Sequence, residues 1–452
     1  MIMHAVTRAA LELTRPQRMH WFHQLGVTQR WPREKLLEWT DRRLQALLRH
    51  ALGSVPYYRE LAAREGLDVN AVTARDLTRL PLVGKTIMSS RLEDFRSDQV
   101  APHRFRPNTT SGSTGTPFRF YSDNGANQVR LANDMRVRMW AGWRIGDRQA
   151  LLWGHRGDLA GHDRWLSRLR NEISGRVIML NAYDLGEPRM THYHRVLMQC
   201  KPTLLVGYSS ALAAFADFLT RHSLPPPRLR ACMSTAETLL PEQRSAVEAA
   251  FCCPVLDHYG SREFGTISQQ CRPDSAQHIT VERVWVEVVD EKGRAVAPGQ
   301  QGEIVVTDLD NYAMPFLRYR TGDLGILSNG TCTCGRGLPL LQSIAGRVSE
   351  IIVGRNGRMV STPGPWLFGA DVPGIGQMQV IQETLEDITV RIVPAPGWSE
   401  DSAIQIRQRI IALLGEMQVN IEMTDTIPKS ESGKYRFAIS KVSPFLQGKT
   451  GH

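Results

Sequence analysis

Cysteine is scarce in this sequence, with seven in 452 residues, and two of the seven, Cys252 and Cys253, are adjacent. An odd, scattered set is not a disulfide framework, so a small secreted scaffold is excluded and a reducing compartment is expected. No apolar run approaches the roughly 18 residues needed to span a bilayer. The first twenty residues carry Arg8, Glu12, Arg15 and Arg18 in place of an apolar signal-peptide core, so membrane insertion and export are not expected and the cytoplasm is. Low-complexity segments and single-sign charge blocks are also missing. Lys and Arg exceed Asp and Glu by 55 to 45, a net charge of +10, but the excess is spread along the chain without a basic and aromatic stripe. That pattern suits anionic small molecules such as nucleotides and argues against nucleic acid.

What is present is an ordinary globular composition, 42% hydrophobic and 22% charged, on a chain long enough for two or three domains. Residues 1–100 read as helical, because Leu36, Leu37, Trp39, Leu44, Leu47, Leu48 and Ala51 recur near helical spacing among charged residues. Between 150 and 236, short apolar runs alternate with longer amphipathic stretches, the signature of a mainly buried sheet flanked by helices. Pro225, Pro226 and Pro227 read as a stiff surface connection. Residues 279–327 turn β-rich, with a turn at Glu291-Lys292-Gly293, and predict a small antiparallel barrel or sheet. Beyond Arg347, Asn356-Gly357 signals a hairpin. Ser399 caps an amphipathic helix that stops at Gly415. The fold class expected is therefore a large α/β domain, with mixed sheets, helices and a small β-barrel, followed by a small α+β domain. The boundary falls near residue 348, giving domains 1–348 and 349–452.

The richest local signal is Thr109-Thr110-Ser111-Gly112-Ser113-Thr114-Gly115-Thr116-Pro117, hydroxyl residues threaded between glycines. Glycines let backbone N–H groups approach an anion and hydroxyls add donors, so the loop can wrap polyphosphate. It lacks the Gly-Lys-Ser/Thr of a Walker loop, and a flexible linker is the plain alternative. A second cluster, Cys271, His278, Cys332 and Cys334, offers three sulfurs and one imidazole, a complete tetrahedral Zn²⁺ set. The turn at Asn329-Gly330 would put Cys332 and Cys334 on one face of a strand. Ordinary reduced cysteines are the alternative, and Cys200, Cys232, Cys252 and Cys253 read as buried small residues.

Taken with four further segments in order, the loop resembles the phosphate-binding signature of the adenylate-forming enzymes, the superfamily of acyl-CoA synthetases, luciferases and nonribosomal-peptide adenylation domains. The segments are Thr235-Ala236-Glu237, His258-Tyr259-Gly260-Ser261-Arg262-Glu263, Arg318-Tyr319-Arg320-Thr321-Gly322-Asp323 with Gly346-Arg347, and Pro428 through Gly433-Lys434 to Arg436. Within the superfamily the wording Cys332-Thr333-Cys334-Gly335-Arg336 and Tyr-Gly-Ser-Arg-Glu is similar to phenylacetate-CoA ligases and the CapK-like proteins of capsular-polysaccharide biosynthesis.

The resemblance implies ATP and Mg²⁺ as cofactors, a carboxylic acid as substrate, and coenzyme A or an amine as acceptor. It implies that Thr109 to Gly115 hold phosphates, that Ala236, Glu237, His258, Tyr259, Gly260 and Ser261 surround the base, and that Asp323 accepts the ribose hydroxyls. Arg347 opens the hinge, Glu263 holds Mg²⁺, and Lys434 and Arg262 act at the reacting phosphate. Two departures stand out: Arg262 replaces a hydroxyl residue near the α-phosphate, and Ser349-Glu350 replaces an acidic pair after the hinge arginine. A relative that binds nucleotide without turnover is the alternative from another class. Trp140, Trp143, Trp153, His155, Tyr208 and Ser209 lie where they could line an acyl pocket.

Overall fold

The computed structural model describes residues 2–110, 118–153, 176–182, 184–347, 351–356, 359–361, 372–427 and 438–442. The chain opens with helices α1 (Ile2–Thr14), α2 (Pro16–Thr28), α3 (Arg33–Ser54), α4 (Pro56–Glu65) and α5 (Lys85–Ser90). The helical start expected from the leucine spacing is thus present. In α3 the residues Leu36, Leu44, Leu47, Leu48 and Ala51 are buried, whereas Leu37 and Trp39 pack only at the rim.

A hairpin, β1 (Phe105–Thr109) and β2 (Arg119–Asp123), leads into α6 (Asn124–Trp140), whose first turn is capped by Asp123 accepting from the Ala126 N–H at 2.8 Å. Then come β3 (Gln149–Trp153), β4 (Val177–Asn181), α7 (Glu187–Cys200), β5 (Leu204–Tyr208), α8 (Ser209–Arg221), β6 (Ala231–Thr235), α9 (Pro241–Phe251) and β7 (Val255–Ser261). Strands β5 and β6 are buried along their whole length, as strands covered by helices on both faces must be. The parallel order is β4-β3-β5-β6-β7. The direction of growth therefore reverses between β3 and β5, and a doubly wound sheet opens its binding crevice at the carboxyl ends of the strands at such a reversal.

Strands β8 (Gly265–Gln270), β9 (Gln277–Ile279), β10 (Val284–Val289), β11 (Gln301–Asp308), β12 (Tyr319–Ser328) and β13 (Leu340–Arg347) are antiparallel. They do not form the small barrel expected from the sequence. Because β7 pairs in parallel with β6 on one edge and antiparallel with β8 on the other, the ladder runs on into one 11-stranded mixed sheet. Apart from an isolated bridge between Val289 and Ala295, β10 pairs with β11 alone among the described strands, and the strand order is linear. Its apolar face, including Val284, Val288, Ile304 and Val306, packs with Phe316 of the β11–β12 connection against α3 and α4.

The C-terminal part is a small mixed-sheet domain. The expected hairpin is there as β14 (Ile351–Val353) and β15 (Met359–Ser361). A four-stranded sheet of order β18-β17-β16-β19 follows, built from β16 (Ile375–Gln382), β17 (Asp387–Pro394), β18 (Gln418–Met423) and β19 (Ala438–Ser440). Helix α10 (Glu400–Leu414) begins at the predicted Ser399 cap and ends at Gly415, whose φ of 89° suits glycine. Its Ile406, Ile410 and Leu414 bury against Met378, Val380, Ile388, Val390 and Ile392, at about 1.5–3 kcal/mol per side chain. Leu324 of the large sheet meets Val353 and Val442 in a separate apolar cluster.

Candidate active site

The carboxyl ends of β6 and β7 gather most of the residues singled out in the sequence. Ala236, one residue past β6, has φ 67°, a left-handed conformation that costs a non-glycine residue about 1–3 kcal/mol. Strain of that kind persists only where neighbours impose it. Here Glu237 accepts a hydrogen bond from the Ser210 N–H at the start of α8 (2.9 Å), its carbonyl accepts from Ser209 Oγ (3.2 Å), and Ser209 Oγ meets Ser234 Oγ at 2.6 Å. The Glu237 carboxylate is thus a helix cap, and the Ala236 backbone presents the edge.

His258 is locked between two hydroxyls. The Thr266 hydroxyl donates to Asp134 Oδ1 at 2.7 Å, so it can only accept from His258 Nε2, 2.9 Å away. His258 Nδ1 therefore carries no proton and accepts from Thr235 Oγ1 at 2.9 Å. Burial lowers the His258 pKa to about 4, so the ring is neutral at physiological pH. It ties β6, β7 and β8 together and does not reach outward.

The next residues do. Tyr259 donates its hydroxyl to Asp323 Oδ2 at 2.7 Å, and Glu263 Oε1 accepts from the Tyr319 hydroxyl at 3.4 Å. A register shift between Tyr259 and Gly260 bends β7. Gly260 has no alternative there, since a Cβ would lie 2.3 Å from the Gly265 carbonyl oxygen. Arg262 reaches the base of the hydroxyl-rich loop, Nε to the Thr109 carbonyl at 3.4 Å. The loop's ends are themselves paired, Thr110 N–H to the Phe118 carbonyl at 2.9 Å. Asp323 is set by a buried anchor just before its own strand. The Arg318 guanidinium binds Glu287 and the carbonyls of Thr78, Leu80 and Gly293. Thr321 Oγ1 then donates to the Ile304 carbonyl and accepts from the Asp323 N–H.

Of the predicted residues, Thr109, Thr110, Ala236, Glu237, His258, Tyr259, Gly260, Ser261, Arg262, Glu263 and Asp323 fall on this edge and the two hairpins beside it. Ser111, Gly112, Ser113, Thr114, Gly115 and Lys434 lie outside the described residues, as does His155; Arg347 is described in its backbone alone, opposite Asp323 in the β12–β13 ladder. Tyr319, Arg130, Asp134 and Thr266 were missed. Tyr319 stood inside a motif already marked, but nothing local in α6 points Arg130 and Asp134 at a hairpin more than 120 residues away.

The acyl-pocket candidates separate. Trp153 and Tyr208 end β3 and β5, the pair flanking the reversal, with ring centroids 5.1 Å apart. Ser209 sits beside them at the Ser234 and Glu237 contacts. Trp143 belongs to the core, donating to the Asp147 carbonyl at 3.1 Å. Trp140 donates to Gln29 Oε1 and lies edge-on to His278 with Arg336 over its face, so it supports the cysteine cluster.

That cluster assembles as the sequence suggested, though not on a strand: Cys332 and Cys334 sit in the turn between β12 and β13, while Cys271 follows β8 and His278 lies on β9. The four ligand atoms are all within 4.8 Å of one another, with Cys271 Sγ to Cys332 Sγ at 3.7 Å and Cys334 Sγ to His278 Nε2 at 3.3 Å. Metal–sulfur bonds of about 2.3 Å give a tetrahedral edge of about 3.8 Å, so the donor set and its spacing fit Zn²⁺. Burial keeps the His278 imidazole neutral, with its pKa lowered to about 4, as ligation requires. Cys232 and Cys253 are buried as expected, but Cys252 is exposed and Cys200 half-buried.

Residues 174–310 match the AMP-binding enzyme family and residues 368–441 match the CapK C-terminal domain. The chain is 25% identical to phenylacetate-coenzyme A ligase of Thermus thermophilus, over 90% of this chain and 96% of that one. It is 20% identical to protein CapK of Staphylococcus aureus over 90% of each. A crystal structure of 2-hydroxyisobutyryl-CoA ligase in the postadenylation state, in complex with R3-HIB-AMP, superposes with a TM-score of 0.71 at 20% identity, covering 92% of each chain, which shows a shared fold. The family matches and these relatives place the chain among the adenylate-forming ligases of the AMP-binding superfamily. Within that superfamily the chain is similar to the phenylacetate-CoA ligases and to CapK.

Proposed function

We propose that the protein is an ATP-dependent, AMP-forming carboxylic acid ligase that passes its acyl group to the thiol of coenzyme A. The observation that carries this reading is the meeting of Tyr259, Asp323 and Glu263 from two distant segments, with Arg262 reaching back to the base of the hydroxyl-rich loop. Each has a use. The Tyr259 ring covers the base, and Asp323 takes the ribose hydroxyls while Tyr259 orients its carboxylate. Glu263 and its neighbours would hold Mg²⁺, a hard cation suited to carboxylate oxygen, which neutralises phosphate charge when bound.

In the first half-reaction a substrate carboxylate oxygen attacks the α-phosphorus, the bond to the β-phosphate breaks, and pyrophosphate leaves. Lys434 supplies positive charge where it accumulates at the α-phosphate, and Arg262 adds a second cation from the large domain. In the second, the acceptor sulfur attacks the acyl carbon and AMP departs. The contacting rings of Trp153 and Tyr208 at the carboxyl ends of β3 and β5, with Ser209 beside them, would form one wall of the acyl site. The four-ligand Cys271, His278, Cys332 and Cys334 cluster would hold a structural Zn²⁺ that pins the β12–β13 turn to β8 and β9.

The similarity to phenylacetate-coenzyme A ligase across nearly the whole chain supports a thiol acceptor. Incubation with ATP, Mg²⁺ and a panel of carboxylic acids, crossed with coenzyme A and amines and read by mass spectrometry, tests the reading. An acyl-AMP followed by an acyl-CoA is expected. An amide product would move the protein to acid–amine ligation, and nucleotide binding with no pyrophosphate release would make it a non-catalytic relative.

A further inference from the structure

The turn that carries Arg262 and Glu263 is gripped from beneath by two arginines. Arg130, partly buried on α6, donates Nη1 to the Arg262 carbonyl at 2.8 Å. Arg283, 1% exposed, donates Nη1 to the Phe264 carbonyl at 3.1 Å and is itself fixed by Asp310 through Nε at 2.7 Å. The carbonyls on either side of Glu263 are therefore each held by a guanidinium, and the turn is closed from within by the Phe264 N–H to Ser261 Oγ at 3.3 Å. One helical turn beyond Arg130, Asp134 accepts from Thr266 in β8, so α6 holds both the tip and the stem of the hairpin. The backbone makes room for this grip: Gly265 has φ 69°, and a Cβ there would lie 2.5 Å from Arg130 Nε. A neutral donor could satisfy either carbonyl. A charge-assisted bond from a rigid planar group is stronger and more directional.

Building on the role of Glu263 given above, we propose that Arg130 and Arg283 are positioning residues that aim the Glu263 carboxylate at the magnesium nucleotide. They touch neither nucleotide nor metal. Arg130 fixes the peptide group that enters Glu263 and Arg283 the one that leaves Phe264, while Ser261 Oγ holds the Phe264 N–H between them, so the turn from which the Glu263 side chain projects is set at both ends, and positional errors of about 1 Å in such groups are expensive. Removing the Arg130 grip should then weaken the preference for magnesium-bound over metal-free ATP and leave metal-free ATP binding unchanged.

The test is calorimetric titration of the full chain with ATP in Mg²⁺ and in EDTA, for wild type, Arg130→Met, Glu263→Gln and the double variant, with folding checked by thermal melts. Arg130→Met should lower the ratio of the two affinities about tenfold, and on the Glu263→Gln background it should change the ratio less than about twofold, because the two act through one path. If Arg130→Met does not fold, Arg130→Lys is held to the same criteria. An unchanged ratio, or equal losses in both backgrounds, would overturn the proposal. If Glu263→Gln itself leaves the ratio unchanged, the assignment of Glu263 fails, and that outcome is distinguishable because it does not involve Arg130.

Discussion

Asp323 illustrates how a single carboxylate is held in place by its neighbours. Its backbone N–H is fixed by Thr321, its strand by the Arg318 anchor, and one of its oxygens by the Tyr259 hydroxyl at 2.7 Å. Tyr259→Phe keeps the ring but removes a bond to a charged acceptor, worth about 1.5–3 kcal/mol. ATP affinity should fall about tenfold or more in direct titration; unchanged affinity would show that Tyr259 does not orient Asp323.

His258 offers a test in pH. Its folded pKa of about 4 lies below the value near 6.5 of an exposed histidine, so the unfolded chain takes up the proton first as pH falls. The His258 contribution to stability is complete above pH about 6.5 and is lost on descent to pH about 4, a change on the order of 3 kcal/mol. Asp257, raised to about 6 by burial, acts in the opposite sense over part of that range, so the informative quantity is the difference between wild type and His258→Asn. Denaturant melts should show a steeper loss in wild type between those limits, and parallel curves would contradict it. At this scale the motif residues were legible because their chemistry is local to a few positions. Glu237 and His258 were legible as neighbours of the site, yet their side chains cap a helix and lock strands, which only the partners reveal.

Among the elements, the parallel half of the sheet was readable because burial on both faces leaves continuous apolar runs such as Leu204 to Tyr208. Helix α10 was readable from its cap and its stop. The barrel was not, because whether antiparallel strands close on themselves or extend a neighbouring ladder depends on pairing partners, and the β7–β8 pairing lies outside the segment that suggested closure. The metal cluster draws on β8, β9 and the turn before β13, which spacing could propose and only the fold could assemble. Freshly purified, reduced and tag-free protein should contain about one Zn²⁺ per chain, and chelation should lower its melting temperature, because metal binding is coupled to folding. Protein without zinc, or a melting temperature indifferent to chelator, would return the four residues to plain thiols and an imidazole.

For the whole molecule, the proposed function would have the large domain hold the base, ribose and magnesium groups and the C-terminal segment bring Lys434, so adenylation would need the two brought together. The segment after Arg347 is where the backbone would absorb the motion from one half-reaction to the next. Ser349→Pro fixes one dihedral there. It should impair pyrophosphate exchange and acyl transfer unequally, and equal loss of both in a folded variant would place the hinge elsewhere. No described helix is long and apolar enough to cross a membrane, in keeping with the lack of long apolar runs in the sequence.

If this chain makes acyl-adenylates with Lys434 as the charge that completes the site, carboxylate-dependent pyrophosphate release will separate wild type from Lys434→Ala. Wild type should release pyrophosphate with at least one acid of the panel. Lys434→Ala should lose about 100-fold or more, with ATP affinity and melting temperature nearly unchanged. Wild-type rates in the variant, or no carboxylate-dependent release by the wild-type protein with any acid, would contradict it.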